Sequence, residues 1–379
     1  YGGVVEALAL ATFGNHIGSN VELDDLDTSL TAQLGGFVFA SPEEITGVAK
    51  IGQTVADFTL TFNGVTLDGH KLDSAFQGKL EEVYPTEFAQ ATELEEVPAV
   101  ASDAVIKAKE TVDTPVVYIP VFPGTNSEYD SAKAFEKEGA EVHEVIIRNL
   151  NKEALIDSIN MLKKEIDKSQ IIMLPGGFSA GDEPDGSAKF IATIFRNPKI
   201  KDSVMKLLNE RDGLILGICN GFQALIKLGL LPYGKIIDIE EDMATLTYNN
   251  INRHMSSIVR TKITSEKSPW FNEVSLGEVH SIPISHGEGR FVAPEALIKE
   301  LVENDQIATQ YVDLEGNVAM NMPYNPNGSS LAIEGITSRD GRILGKMGHS
   351  ERIGENLYKN IPGEFDQKLF KSGVDYFRK

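Results

Sequence analysis

The chain has 379 residues, 41% hydrophobic and 24% charged, with a net charge of −21 at neutral pH and a mean hydropathy of −0.14. This is the composition of a globular protein of two or three domains; no apolar run nears the roughly 18 residues that cross a bilayer, and so acidic a field repels nucleic-acid phosphates. One cysteine excludes an intrachain disulfide and a cysteine-rich zinc site, no HExxH or His pair offers a metal signature, and a lone thiol fits the reducing cytoplasm.

The chain opens on "YGGVVEALAL", with no initiator Met and no basic segment of a signal peptide, so it is expected to begin inside a longer polypeptide. "GGVVEALALATF" is an apolar helical stretch. The runs "GGFVFA", "KIGQTVAD" and "FTLTFNGVTLDG" are expected strands, the last turning at Asn63-Gly64 and Asp68-Gly69. Strands grouped after a helix make residues 1–95 a smaller α+β domain. Residues 96–113, acidic and Ala-rich, are an expected linker with some helical content.

From Val116 the grammar changes. Strands are expected at "VVYIPV", "EVHEVIIR", "QIIMLPGG" and "GLILGIC", alternating with helices at "NSEYDSAKAFEKEG", "NKEALIDSINMLKKEI", "SAKFIATIF", "IKDSVMKLLNER" and "NGFQALIKLGLL". Near-continuous apolar strands between helices mean an α/β domain whose parallel sheet is buried on both faces. Residues 236–350 are richer in strands and close with a hairpin at "RDGR". The domain is expected over 114–379.

Ligands of open α/β sheets bind at the carboxyl ends of the strands. Two such ends stand out, "LPGGFSAGD" and "GICNGF". The second has the spacing Gly217-x-Cys219-x-Gly221, a nucleophile elbow with Cys in the place of Ser. A helix starting at the sulfur favours thiolate through its dipole, and the N–H of Asn220 can meet an oxyanion. A lone cysteine is as often a small buried hydrophobe. Its position between two glycines at a strand end favours the nucleophile, as does Gly176-Gly177 at the neighbouring end, whose amides can complete an oxyanion hole.

A cysteine nucleophile needs a base, and the base a partner that orients it. His349 has Glu351 two residues on, and His286 has Glu288 at the same spacing. On an extended segment either pair shares a face, and spacing does not choose between them.

"LPGGFSAGD", "GICNGFQ", "PISHGEGRF", "NPNGS" and "DGRILGKMGHSER" together resemble the class I (triad) glutamine amidotransferases. Within them they resemble the glutaminase domain of the phosphoribosylformylglycinamidine synthase family, over residues 116 to about 379. The first part is similar to the end of an aminoimidazole ribonucleotide synthetase-like domain, which precedes the glutaminase in the fused form. The resemblance implies a flavodoxin-like sheet and hydrolysis of glutamine to glutamate and ammonia through a Cys219 thioester. It makes His349 the acid–base, oriented by Glu351. It gives Gly176, Gly177, Phe178 and Asn220 to oxyanion or substrate positioning and Gln223 to the substrate. Glutamine is the implied ligand and upstream synthetase domains of the same polypeptide the implied partner. No cofactor is expected in this chain; ATP and Mg are expected for the full-length synthetase. Where many members have Pro-His-Pro-Glu-Arg, this chain has Gly348-His349-Ser350-Glu351-Arg352, without the rigidity of two prolines. The competing readings are a guanylate- or cytidylate-type triad amidotransferase, a flavodoxin-like cysteine hydrolase and a non-catalytic module. Release of glutamate from glutamine separates the hydrolase from the amidotransferases.

Overall fold

A computed structural model describes residues 2–88, 97–102, 105–179 and 187–378, and the chain divides between Thr86 and Glu87 into two units. The first holds α1 (Gly3–Phe13), β1 (Gly18–Val21), α2 (Leu26–Ser29), β2 (Gly52–Val55), β3 (Thr59–Phe62), β4 (Val65–Asp68) and α3 (Gly69–Gln77). Its sheet runs β2-β1-β3-β4. β3 and β4 are antiparallel around Asn63-Gly64, and Leu8, Val21, Leu23, Leu60 and Phe62 form the core. The strand expected at "GGFVFA" does not form: residues 35–40 are irregular and Phe37 is 88% exposed. Without a neighbouring strand, an apolar run has no ladder for its backbone groups.

The second unit begins with β5 (Val116–Val121), α4 (Glu128–Lys137), β6 (Glu141–Ile146), α5 (Lys152–Lys168), β7 (Ile171–Leu174), α6 (Lys189–Phe195) and α7 (Pro198–Glu210). It continues with β8 (Leu214–Ile218), α8 (Asn220–Leu228), α9 (Leu230–Tyr233), β9 (Thr245–Tyr248), β10 (Met255–Ile263), β11 (Val279–His286) and β12 (Glu288–Val292). It ends with α10 (Glu295–Glu303), β13 (Ile307–Val312), β14 (Ile333–Thr337), β15 (Ile343–Lys346) and α11 (Leu369–Phe377). Nine strands form one sheet, ordered β11-β10-β13-β14-β15-β8-β7-β5-β6. From β15 to β6 the pairing is parallel; from β11 to β15 it is antiparallel. β9 pairs with β12 in a separate ribbon.

β7 and β8 are buried along their whole length, as their unbroken apolar sequences require. Right-handed crossovers put α4 on one face and α5 with α7 on the other, because β5 to β6 and β6 to β7 run in opposite directions across the sheet. Asn151 caps α5 with its side chain, and Asn197 caps α7 ahead of Pro198. β14 and β15 join through the "RDGR" turn in the expected hairpin.

The stretch expected as a helical linker is neither helical nor free where it is described. Val100 exchanges backbone hydrogen bonds with the segment from Thr264 to Glu266, and the amides of Ala108 and Val112 donate to Tyr376 and Phe377. Ile106, Ala108 and Val112 turn inward while their neighbours are exposed, the alternation of an extended chain. The chain ahead of β5 is therefore fastened to the second unit.

Candidate active site

The site is built where β8, β7 and β15 end. Cys219 stands between β8 and α8 with φ +53° and ψ −105°, a conformation an L-residue adopts only when its surroundings hold it there. Its amide donates to the Lys346 carbonyl at 2.8 Å, tying it to the end of β15. The glycine after the elbow is obligatory: a Cβ on Gly221 would lie 1.9 Å from the Leu174 carbonyl oxygen. Cys219 is 6% exposed, its sulfur 3.9 Å from the Ser285 carbonyl oxygen.

His349 and Glu351 meet as one of the two predicted pairs. His349 Nδ1 lies 2.6 Å from Glu351 Oε1, both residues buried. The spacing works through a bend after β15 instead of an extended strand. The His349 amide donates to the Pro283 carbonyl at 2.8 Å, which anchors the bend to β11. Burial alone lowers the proton affinity of His349, but the Glu351 carboxylate and then the Cys219 sulfur override it and raise its pKa to about 9. Burial works against the Glu351 charge too; the imidazolium outweighs it and holds the carboxyl below its usual range. Among the described residues Nε2 of His349 has no oxygen or nitrogen partner, and the sulfur is near enough to bias its titration.

The rival pair does not form. His286 is buried, with Nδ1 3.2 Å from Asn249 Oδ1. Asn249 Nδ2 donates to the carbonyls of Arg253 and His286, which orients the amide and makes His286 Nδ1 the donor. Burial first, then the charges of His349 and His254, lower the His286 pKa to about 3. The Glu288 carboxylate turns away and accepts the Ser187 amide at 2.8 Å.

The expected binding residues divide. Gly176 lies against His349 and Cys219. The amides of Gly177 and Asn220 have no acceptor among the described residues. The Phe178 amide does not suit an oxyanion, because it donates to the Gly124 carbonyl at 2.7 Å in an isolated bridge between the loops. Gln223, expected on the substrate, is engaged at both ends of its amide. Nε2 donates to the Glu288 carbonyl at 2.6 Å, and Oε1 accepts from Asn220 Nδ2 at 2.8 Å. With Asn220 Oδ1 accepting the Ser179 amide at 3.3 Å, the first turn of α8 braces the loops on either side. "AGD" at 180–182 lies outside the described residues.

Three contacts were not anticipated. Arg352 donates to Ser127 Oγ at 3.0 Å, so the residue at the N-cap of α4, whose side chain makes no cap hydrogen bond, serves the triad bend. His254 Nε2 lies 3.0 Å from Ser285 Oγ, beside the nucleophile. Lys346, at the end of β15, is wholly buried. Only an ionisable residue ending an apolar strand hinted at the last. Among the described residues, no group of three or more His, Cys, Asp or Glu could hold a metal, and no helix is long and apolar enough to cross a membrane.

Residues 114–377 match the family described as the CobB/CobQ-like glutamine amidotransferase domain. The chain is 37% identical to phosphoribosylformylglycinamidine synthase subunit PurQ of Methanococcus maripaludis over 274 residues, covering 68% of this chain and 96% of that one. It is 34% identical to the protein of the same name from Rhodospirillum rubrum, over 68% and 97% of the two chains. Among solved structures it is similar to a chain of PurLQS from Thermotoga maritima. The identity there is 30% and the TM-score 0.50, over 70% of this chain and all of that one.

Proposed function

We propose that this chain, which belongs to the CobB/CobQ-like glutamine amidotransferase domain family and within it to the PurQ glutaminases, hydrolyses glutamine to glutamate and ammonia. The ammonia serves formation of phosphoribosylformylglycinamidine in purine biosynthesis, the reaction for which its relatives are named. The observation that carries this reading is a single cysteine held in a strained elbow beside a buried histidine–carboxylate pair.

Cys219, as thiolate, attacks the side-chain amide carbon of glutamine, and its proton passes to His349 Nε2. The developing oxyanion is met by the amides of Gly177 and Asn220 at the start of α8. His349 gives the proton to the departing nitrogen; ammonia leaves and a γ-glutamyl thioester remains on Cys219. Water, deprotonated by the same nitrogen, attacks the thioester, and glutamate and the thiol are released. Glu351 holds Nδ1 throughout, which fixes the tautomer and compensates the imidazolium. Gly176 keeps space for the His349 ring beside Cys219, and Gln223 acts at one remove by bracing the walls.

Ammonia needs an acceptor, and the relatives are named as subunits of a synthase, with PurLQS as the solved neighbour. A synthetase partner that uses ATP and Mg therefore completes the reaction, and the first unit marks the side of the polypeptide on which fused synthetase domains would lie. The test is a glutamine analogue carrying an electrophile in place of the carboxamide. Mass spectrometry should find one adduct, on Cys219, prevented by glutamine. No adduct, or an adduct that glutamine does not prevent, would rule the reading out.

A further inference from the structure

Between the elbow and the triad bend runs a buried polar cluster that the chemistry above does not use. Lys346 is the last residue of β15 and is 0% exposed, as is Glu334 on β14; Nζ lies 3.2 Å from Glu334 Oε1. The same Nζ donates to the Gly348 carbonyl at 2.9 Å and to Ser350 Oγ at 3.0 Å. Glu334 Oε1 also accepts the Gly348 amide at 2.6 Å, and Oε2 accepts the Thr309 hydroxyl. Ser350 passes its own hydrogen to Gln367 Oε1 at 2.6 Å, and Gln367 Nε2 donates to Thr261 at 3.1 Å. The residues on both sides of His349 are thus held from one ammonium group. The backbone of that lysine holds the other half of the dyad, since its carbonyl accepts the Cys219 amide at 2.8 Å.

A buried ion pair is a poor way to make a sheet stable, because desolvation cancels most of the attraction. Its geometry suits another purpose. The ammonium donates to the Gly348 carbonyl and to Ser350 Oγ, with the Glu334 carboxylate 3.2 Å away as its counter-ion, which fixes a bend that has glycine at 348 and would otherwise turn freely. Thr309 and Gly348 donate one to each oxygen of the carboxylate, so neither oxygen of the buried charge is without a donor.

We propose that Lys346, held by Glu334, is a positioning residue for catalysis: it sets the His349 imidazole against the Cys219 sulfur by clamping Gly348 and Ser350 with its side chain and the elbow with its carbonyl. The inference rests on the reading of Cys219 and His349 as nucleophile and base.

The only cysteine of the chain makes the test direct, because alkylation by iodoacetamide reports Cys219 alone. Lys346→Met strands a buried carboxylate and is liable to misfold. The variant to use is Lys346→Met/Glu334→Gln, which removes both charges and keeps an acceptor for Gly348. It should unfold at a denaturant concentration close to that of the parent. Its alkylation at pH 7 should nevertheless slow by about tenfold, the order expected when a thiol loses the base that draws off its proton. With the synthetase partner present, its kcat for glutamine should fall while KM stays. Ser350→Ala should give a smaller loss of the same kind. His349→Ala is the control. If it slows alkylation and the folded double variant does not, the clamp is overturned and the dyad stands. If His349→Ala leaves alkylation unchanged, the dyad reading falls and the clamp with it.

Discussion

His349 fills the space that a side chain at Gly176 would need: a Cβ there would lie 2.7 Å from His349 Cε1 and 3.5 Å from Cys219 Cβ. Glycine at 176 is therefore a condition of the dyad. Gly176→Ala should push the imidazole off its line to the sulfur and leave the sheet behind it intact. Glutamate release should drop by roughly 10²-fold, the scale of a small misplacement at a reacting pair, with an unchanged far-ultraviolet spectrum. A variant as active as the parent would mean that the ring has a second productive position.

Cys219 is held at φ +53° with a side chain that makes this costly. Cys219→Ala and Cys219→Gly should both abolish glutamine-driven turnover. In the assembled synthase both should spare amidation driven by added ammonia, which bypasses the thioester. They should differ in stability: glycine enters this region freely, so Cys219→Gly should be the more stable by about 1 kcal/mol. Equal denaturation midpoints would show that the elbow stores no strain.

The legible parts of the chain are those where one local pattern decides. β7 and β8 are apolar without a break because helices cover both faces, and Gly-x-Cys-x-Gly could only be a tight turn once it followed such a strand. The failures are of another kind. Phe37 and Phe39 look like strand residues, but no neighbour among the described residues pairs with them. Ile106, Ala108 and Val112 face inward inside an Ala-rich acidic stretch that reads as helix, and the bonds of Ile106 to Asn272 and of Ala108 and Val112 to α11 are tertiary events. The choice between His349 and His286 was open for the same reason, since both have a glutamate at i+2. Asn249, a distant residue in sequence, takes His286 out of contention. The role of Lys346 could not be read beyond its odd place at the end of an apolar strand, because its partners come from β14 and from beyond the bend.

The two histidines should separate in kinetics. His349→Ala removes the group that carries the proton and should reduce glutamine-dependent turnover by roughly 10²–10⁴-fold. His286→Ala leaves the dyad in place and opens a small cavity beside Asn249, so its loss should be smaller and lie mainly in KM. A kcat for His286→Ala as low as that for His349→Ala would reassign the base.

The same two residues should shape stability against pH in opposite senses. The His349 pKa is raised to about 9 in the folded chain from the ordinary histidine value of 6.5. Its contribution is therefore fully present below 6.5 and is lost as the pH rises through 9. The His286 pKa is lowered to about 3 from the same value. Below 6.5 the unfolded chain takes up a proton that folded His286 refuses, so stability is lost as the pH falls towards 3. The two effects together set a maximum near 6.5. Glu351, whose pKa is lowered, steepens the loss only further down, below the ordinary carboxylate range. Between pH 6.5 and 5 the His286 effect alone amounts to about 2 kcal/mol, at about 1.4 kcal/mol per pH unit. His286→Asn keeps a donor for Asn249 and has no titration of its own. Denaturant unfolding at the two pH values should show the parent losing about that much more stability than the variant. Parallel losses in the two proteins would mean that folded His286 takes up its proton as readily as the unfolded chain does, and that the buried acceptor nitrogen beside the dyad is wrongly assigned.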